Sequence, residues 1–159
     1  MGIVHPHLWF HTDAEDAAAF YPAVIPNSTV ARVVSAPPGV PGVDEGMPFI
    51  VEFVLDGMPV TAINGGPALT LDDAFSMYLA CETQAEVDHY WGALVAGGGK
   101  HGQCGWLTDR FGLSWQVVPR QLEEIMSGPK TAGGARAMAA MLRMTKLDIA
   151  RLEAAYDGT

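Results

Sequence analysis

Apolar and polar residues alternate along two stretches of the chain, residues 4–11 and residues 75–81. Alternation with a period of two predicts a β-strand that has one face covered by a helix and one open face. The open faces of the two predicted strands would carry His5, His7, Trp9 and His11 in the first and Ser76, Tyr78 and Ala80 in the second. The sequence therefore predicts two sheets with partly polar open faces.

A segment with helical periodicity follows each of these strands. Apolar residues spaced three and four apart form one stripe per segment, which predicts an amphipathic helix. The stripes comprise Ala17, Phe20, Tyr21, Val24 and Ile25 in the first helix and Val87, Tyr90, Trp91, Leu94 and Val95 in the second. Asp13 lies three residues before Asp16, and Thr83 lies three residues before Glu86. Both spacings predict a side-chain N-cap at the start of the helix.

Further strands follow each helix. Residues 48–65 read as a hairpin with a two-residue turn at Asp56-Gly57. Residues 104–119 read as its counterpart, with a turn near Asp109-Arg110. The order strand, helix, strands thus occurs twice, at an offset of about 70 residues from Asp13 to Thr83. Repeats this short are expected to bury their apolar faces by pairing, which would leave a cleft between the open faces.

The remainder of the chain reads as helical. Residues 119–126 begin a short helix, and a second helix contains Met138, Met141 and Leu142. A third helix is predicted to begin at Thr145, with Asp148 as a capping partner. Its apolar stripe would be Ile149, Leu152 and Tyr156.

The predicted organisation is one compact domain with three parts. These are a first module at residues 1–66, a second module at residues 67–119, and a C-terminal helical extension at residues 120–159. A chain of 159 residues with 49% hydrophobic residues is large enough to bury a substantial core.

The charge of the chain limits the partners that it could bind. The formal net charge is −9, and the nine lysines and arginines are scattered along the sequence. An acidic surface repels nucleic-acid phosphates and anionic lipids, so neither nucleic-acid nor membrane binding is expected. The N-terminus lacks the pattern of a signal peptide, which predicts a cytoplasmic location. Cys81 and Cys104 both lie in strand-like contexts and are interpreted as small core residues rather than nucleophiles.

Several segments together resemble a known family. They are LWF before a helix containing FY, then PNS, FVLDG, AINGGP, GQCGWLTDRFGLSWQVVP and AMLRMTKLDIARLE. The chain resembles the PhnB-like group of the glyoxalase/bleomycin-resistance/dioxygenase (vicinal oxygen chelate) superfamily, whose members are often labelled 3-demethylubiquinone-9 3-methyltransferase. The resemblance implies an α+β fold of two paired βαβββ modules with a C-terminal helical extension, and a homodimer. It does not decide the activity, because one fold hosts many functions.

The resemblance also implies four positions for metal ligands, on the first and last strand of each module. Enzymes of the superfamily place His or Glu there, which suit zinc, nickel, manganese or iron. Here these positions correspond to His5, Ser76 and Gln116, together with Thr61 or Ile63 depending on the register. This set is poor for a divalent ion, so no metal and no cofactor is predicted. If a metal were bound, His5 and Gln116 would be its ligands.

Gln116 stands where related enzymes often carry a carboxylate. An amide accepts and donates hydrogen bonds without a charge, which suits a polar organic ligand, or else it serves as a buried amide satisfied by its neighbours. His5 or His7 could act as a general base, since imidazole titrates near neutral pH. The predicted ligand-binding cleft is lined by His5, His7, Trp9, Asn64, Ser76, Tyr78 and Gln116. Asn64 to Gly66 also reads as a turn.

Four functions remain open at this level. The first is the binding of a small organic molecule in the inter-module cleft, without a complete metal site. The second is a metal-dependent vicinal-oxygen-chelate enzyme of the glyoxalase, dioxygenase or thiol-transferase type. The third is a methyltransferase, as the family label says, although the usual glycine-rich turn for S-adenosylmethionine is absent from the sequence. The fourth is a structural or interaction protein.

Overall fold

The computed structural model describes residues 3–128 and 131–159. The chain divides into two compact units, Met1–Leu71 and Asp72–Thr159. Each unit contains one βαβββ module, and the second also carries three C-terminal helices. The α+β fold with two such modules and a helical extension is confirmed. Among the described residues, no helix has the length and apolar character to cross a membrane.

The first unit is a four-stranded mixed sheet with one helix on it. Its elements are β1 (His7–Phe10), α1 (Ala14–Val24), β2 (Thr29–Ser35), β3 (Pro48–Leu55) and β4 (Met58–Asn64). The strand order is β1-β4-β3-β2, with β1 parallel to β4 and the other neighbours antiparallel. The helix covers one face, where Tyr21 of α1 packs its ring near Phe53 of β3. Val51 of β3 is also buried. Leu8 and Phe10 of β1 are buried as well, as the alternation of apolar and polar residues predicts.

The second unit repeats this topology. Its elements are β5 (Ser76–Cys81), α2 (Gln84–Val95), β6 (Lys100–His101), β7 (Trp106–Thr108) and β8 (Ser114–Pro119). The order is β5-β8-β7-β6, and β5 runs parallel to β8. Val87, Trp91 and Leu94 of α2 are buried. Trp115 is buried on the same side and donates from Nε1 to Asp109 Oδ2 at 2.9 Å.

The C-terminal extension packs its own small core. It consists of α3 (Arg120–Ser127), α4 (Ala132–Met141) and α5 (Ile149–Asp157). Its buried apolar side chains Leu122, Met144, Leu147 and Leu152 form one cluster with Val118 of β8. The prediction that the last helix begins at Thr145 is wrong. Asp148 is the N-cap, with its side chain accepting from Arg151 N, so the helix begins at Ile149.

The two N-cap predictions have different outcomes. Thr83 Oγ1 accepts a hydrogen bond from Glu86 N at 3.2 Å, which confirms the prediction for α2. The predicted cap of α1 is wrong, because the Asp13 side chain makes no capping hydrogen bond. Asn64 at the end of β4 replaces it, since Asn64 Oδ1 accepts from Ala14 N at 2.9 Å. The first free amide of α1 is therefore satisfied by a residue from another strand.

The two hairpins also differ from each other. Asp56 and Gly57 both have positive φ, 45° and 78°, as a two-residue hairpin turn requires, so the first predicted turn is confirmed. The second connection is longer, because β7 ends at Thr108 and β8 begins at Ser114. Cys81 is buried in β5, as predicted. Cys104 is not in a strand: it lies in the turn before β7 with φ of 57°, which corrects its predicted context.

Candidate functional site

The open face of the first sheet carries a row of polar side chains across all four strands. Residues directly opposite each other on neighbouring strands point to the same face. In register, the row runs His7, Thr61, Glu52 and Arg32. Arg32 binds Glu52 through two hydrogen bonds, of 3.1 Å from Nε and 2.6 Å from the guanidinium NH₂ group. The hydrogen bond from Arg32 lowers the pKa of the Glu52 carboxyl below its ordinary value, and His5 contributes in the same direction.

His5 and Thr61 are the residues that the resemblance places at the metal-ligand positions of the first module, with Ile63 as the alternative to Thr61. The His5 ring Nε2 lies 3.0 Å from Thr61 Oγ1, so imidazole and hydroxyl are hydrogen-bonded. Of the two residues left open by the sequence, the structure therefore pairs Thr61 with His5, while Ile63 lies opposite Trp9. His7 is exposed and lies directly opposite Thr61. His5, His7 and Thr61 thus form one cluster.

Trp9 lies on the same face, two residues further along β1. Its indole Nε1 donates to Gly66 O at 2.9 Å, and the ring lies against Gly65. A Cβ atom at residue 65 would be only 2.2 Å from the Trp9 ring, so glycine is the residue that permits this approach. The ring is half-buried. It supplies an apolar surface beside the polar row.

Asn64, which was predicted as a cleft residue, lies on the helix-covered side of the sheet. It is the last residue of β4 rather than part of a turn, and it is buried. Its Oδ1 accepts from Ala14 N, and its Nδ2 donates to Pro48 O at 2.9 Å. Both ends of the amide are used in joining α1, β3 and β4. The structure therefore gives Asn64 a capping role and separates it from His5, His7 and Trp9.

The open face of the second sheet centres on Gln116. The Gln116 Nε2 donates to Ser76 Oγ at 2.8 Å, so the two residues expected at the metal-ligand positions of this module are also hydrogen-bonded to each other. Tyr78 lies opposite Gln116 on β5, and Trp106 lies opposite it on β7. The amide is thus flanked by two aromatic residues on one face. Ser76, Tyr78 and Gln116, all predicted from the sequence, form this second cluster.

Tyr78 is half-exposed but does not behave as a free phenol. Partial burial raises the pKa of the Tyr78 hydroxyl above its ordinary value, and the nearby Glu123 carboxylate of α3 adds to the increase. Because the Tyr78 hydroxyl has one hydrogen, its hydrogen bond with Glu123 uses the donor of the phenol. Tyr78 therefore offers its ring to the open face, and it is unsuited to acting as an ionised base.

The cleft predicted from the sequence leaves out two residues of these faces, although Trp106 is also a candidate for an aromatic pocket on sequence grounds. Glu52 brings a carboxylate to the row beside Thr61, and Trp106 brings an indole to the row beside Gln116. A weak signal existed for both. Glu52 is a charged residue within the apolar run of β3, and Trp106 begins the short run before the second turn. Only the strand register places them next to the candidate residues.

The four metal-ligand positions do not fit a divalent ion. They provide one imidazole, two hydroxyls and one neutral amide, while such ions bind through imidazole, thiolate or carboxylate. The four side chains also hydrogen-bond to one another in pairs, His5 with Thr61 and Ser76 with Gln116. Among residues 3–128 and 131–159, no group of three His, Cys, Asp or Glu side chains has the arrangement of a metal site. His11 lies elsewhere, with its ring against Leu69 O at 3.1 Å.

Comparisons with known proteins were made by sequence and by structure. The model of the 3-demethylubiquinone-9 3-methyltransferase family matches residues 3–118. The structure of the PhnB protein from Bacillus cereus, 28% identical, aligns over 74% of this chain and 99% of its own, with a TM-score of 0.66. Protein PA1353 from Pseudomonas aeruginosa, 20% identical, shares the fold over 72% of this chain and 95% of its own, with a TM-score of 0.59. No curated protein matches the chain. The chain belongs to the 3-demethylubiquinone-9 3-methyltransferase family.

Proposed function

We propose that the protein binds a small organic molecule on the open face of its second sheet, without a divalent metal at the four expected ligand positions. The observation that carries this proposal is the Ser76–Gln116 pair, with Tyr78 and Trp106 on either side of the amide. Uncharged hydrogen-bonding groups between aromatic rings are typical of sites for organic ligands.

The chemistry of the second face indicates what such a ligand would present. Gln116 and Ser76 can both donate and accept hydrogen bonds, and the Tyr78 and Trp106 rings offer aromatic surface beside them. A planar molecule with carbonyl or hydroxyl oxygens would satisfy these groups and place its ring against an aromatic side chain. A quinone has this chemistry, and the family name also refers to one.

The proposal is tested first by the metal content of the purified protein. The protein would be incubated with zinc, nickel, manganese and iron(II), dialysed, and measured by elemental mass spectrometry. We expect no ion in stoichiometric amount. A stoichiometric ion that is lost in the His5→Ala variant would contradict the proposal and favour metal-dependent chemistry on a vicinal-oxygen substrate.

Ligand binding is tested with a soluble dimethoxybenzoquinone by isothermal titration calorimetry. Loss of one neutral hydrogen bond would weaken binding by about tenfold in Gln116→Ala. Gln103→Ala is the matched control, since Gln103 is an exposed amide in the turn before β7. An equal affinity in both variants would remove Gln116 from the site.

A further inference from the structure

A cavity of about 380 Å³ lies in the second unit, at the edge of the sheet formed by β6 and β7. Lys100, Thr108, Trp106 and Asp73 are among the residues that line it. Lys100 lies opposite Thr108, and Trp106 lies opposite Gln116, so these residues share the open face. The volume is within the range of sites for small molecules.

Among the residues that line the cavity, which also include His101, Lys100 and Asp73 do not pair with each other. The ion pairs found among the described residues involve other side chains, so neither Lys100 nor Asp73 is held by an opposite charge. Asp73 is held at one oxygen only, where Oδ1 accepts a hydrogen bond from Ser114 Oγ. An ammonium and a carboxylate therefore both remain available to a ligand.

The strand register separates these two charges. Ser114 on β8 holds Asp73, Thr108 on β7 is the next residue in the row, and Lys100 on β6 follows. Ser114 and Lys100 are thus two strand spacings apart, about 10 Å. Trp106 lies two residues from Thr108 on the same face of β7, beside the row. Its indole offers an apolar surface next to the gap between the two charges.

We propose that this cavity binds a dipolar small molecule, with an anionic group on Lys100, a cationic group on Asp73, and a planar middle against Trp106. A singly charged ligand would leave one of the two charges without a partner, whereas a dipolar ligand satisfies both. The inference goes beyond the proposed function, because Gln116 and Ser76 do not line this cavity and only Trp106 borders both sites.

The test uses 4-(aminomethyl)benzoate as the dipolar probe, with 4-methylbenzoate and 4-methylbenzylamine as singly charged analogues of similar shape. Binding to the full chain would be measured by isothermal titration calorimetry at low ionic strength. We expect the dipolar probe to bind about tenfold more tightly than either analogue. Equal affinity for all three, or no binding of the dipolar probe, would overturn the proposal.

Charge variants distinguish the two ends of the site. Lys100→Gln should remove the preference for the dipolar probe over 4-methylbenzylamine, and Asp73→Asn should remove its preference over 4-methylbenzoate. Lys146→Gln and Asp72→Asn are controls for general surface charge, and both should keep the preferences. Equal effects in variants and controls would overturn the proposal. Thermal unfolding of each variant shows whether the fold is kept.

The same titration separates this inference from the proposed function. If Lys100→Gln and Asp73→Asn weaken binding of the dipolar probe and Gln116→Ala does not, the cavity is confirmed and the role of Gln116 is wrong. If Gln116→Ala weakens binding of the quinone, and neither Lys100→Gln nor Asp73→Asn changes binding of the dipolar probe, the proposed function stands and the dipolar site is wrong.

Discussion

The two modules share a topology but not a chemistry. In each, the first and last strands are parallel neighbours, and the two residues expected as metal ligands are hydrogen-bonded to each other. The first module has His5 with Thr61, next to the Arg32–Glu52 ion pair. The second has Ser76 with Gln116, between two aromatic residues. One sheet face is thus ionic and imidazole-bearing, and the other is neutral and aromatic.

The two modules thus place side chains at equivalent strand positions, and the identity of those side chains determines the chemistry of each sheet face. In each module the two side chains hydrogen-bond to each other, so neither module needs a metal to hold them in place. The modules also differ in how they are stabilised locally. The four predictions below compare matching features of the two modules.

The largest loss of unfolding free energy is expected from a substitution in the connection between the last two strands of the second module. Asp109 is buried and accepts hydrogen bonds from Phe111 N, Leu113 N and Trp115 Nε1. Asp109→Asn would place an amide NH₂ group against one of these donors and should cost about 3 kcal/mol of unfolding free energy. The matched Asp56→Asn change lies in the exposed turn of the first module and should cost less than about 0.5 kcal/mol, since Asn tolerates positive φ. Urea unfolding followed by circular dichroism measures both, and similar losses would contradict the comparison.

Removing the two helix caps should lower the unfolding free energy by smaller and more similar amounts. Asn64→Ala removes the acceptor for Ala14 N and the donor to Pro48 O inside the first unit, which should cost about 2 kcal/mol. Thr83→Ala removes an exposed cap of α2 and should cost about 1 kcal/mol. Urea unfolding gives both values. If Thr83→Ala were the more damaging change, Asn64 would not be the effective cap of α1.

These caps also show what sequence can and cannot predict here. Thr83 and the Asp56-Gly57 turn were predictable because their partners are a few residues away along the chain. The Asn64 cap joins residues 50 positions apart, and the Gln116–Ser76 bond joins residues 40 positions apart. Such bonds depend on the register of parallel strands, which local periodicity does not determine. For the same reason the predicted cleft leaves out Glu52 and Trp106, although the strands that carry them were predicted.

The third prediction concerns the aromatic residue of the first module. Gly65→Ala would force the Trp9 ring away from its position and break its hydrogen bond to Gly66 O, at a cost of about 1.5 kcal/mol. Trp9 is half-buried, so the indole should become more exposed and its fluorescence should shift to longer wavelength. Gly57→Ala would not serve as a control because of its positive φ, whereas Gly92→Ala on the exposed side of α2 meets no atom within 4 Å. An unchanged spectrum in Gly65→Ala would mean that the ring does not lie against residue 65.

The smallest contribution to stability is expected from one exposed ion pair in each unit. Arg32 lowers the pKa of Glu52, and Lys146 followed by Gln84 lowers the pKa of Asp88. Because each carboxyl binds its proton less tightly in the folded chain than in the unfolded chain, each pair contributes stability above the unfolded pKa. This contribution is lost as the pH falls through the folded pKa. Both groups are exposed, so solvent and salt screen the gain, and its size should be small.

Carboxyl titration by NMR measures this directly. The pKa of Glu52 should rise towards its ordinary value in Arg32→Gln, and that of Asp88 should rise in Lys146→Gln, with each variant leaving the other carboxyl unchanged. Asp88 should keep part of its decrease, because Gln84 Nε2 still donates to Asp88 Oδ1 at 3.0 Å. Glu52 should keep a smaller part of the decrease in its pKa, since Arg32 supplies both of the hydrogen bonds found for the Glu52 side chain among the described residues. An equal recovery in the two variants would mean that the amide of Gln84 has no influence on Asp88, and that the two pairs differ only in their position in the fold.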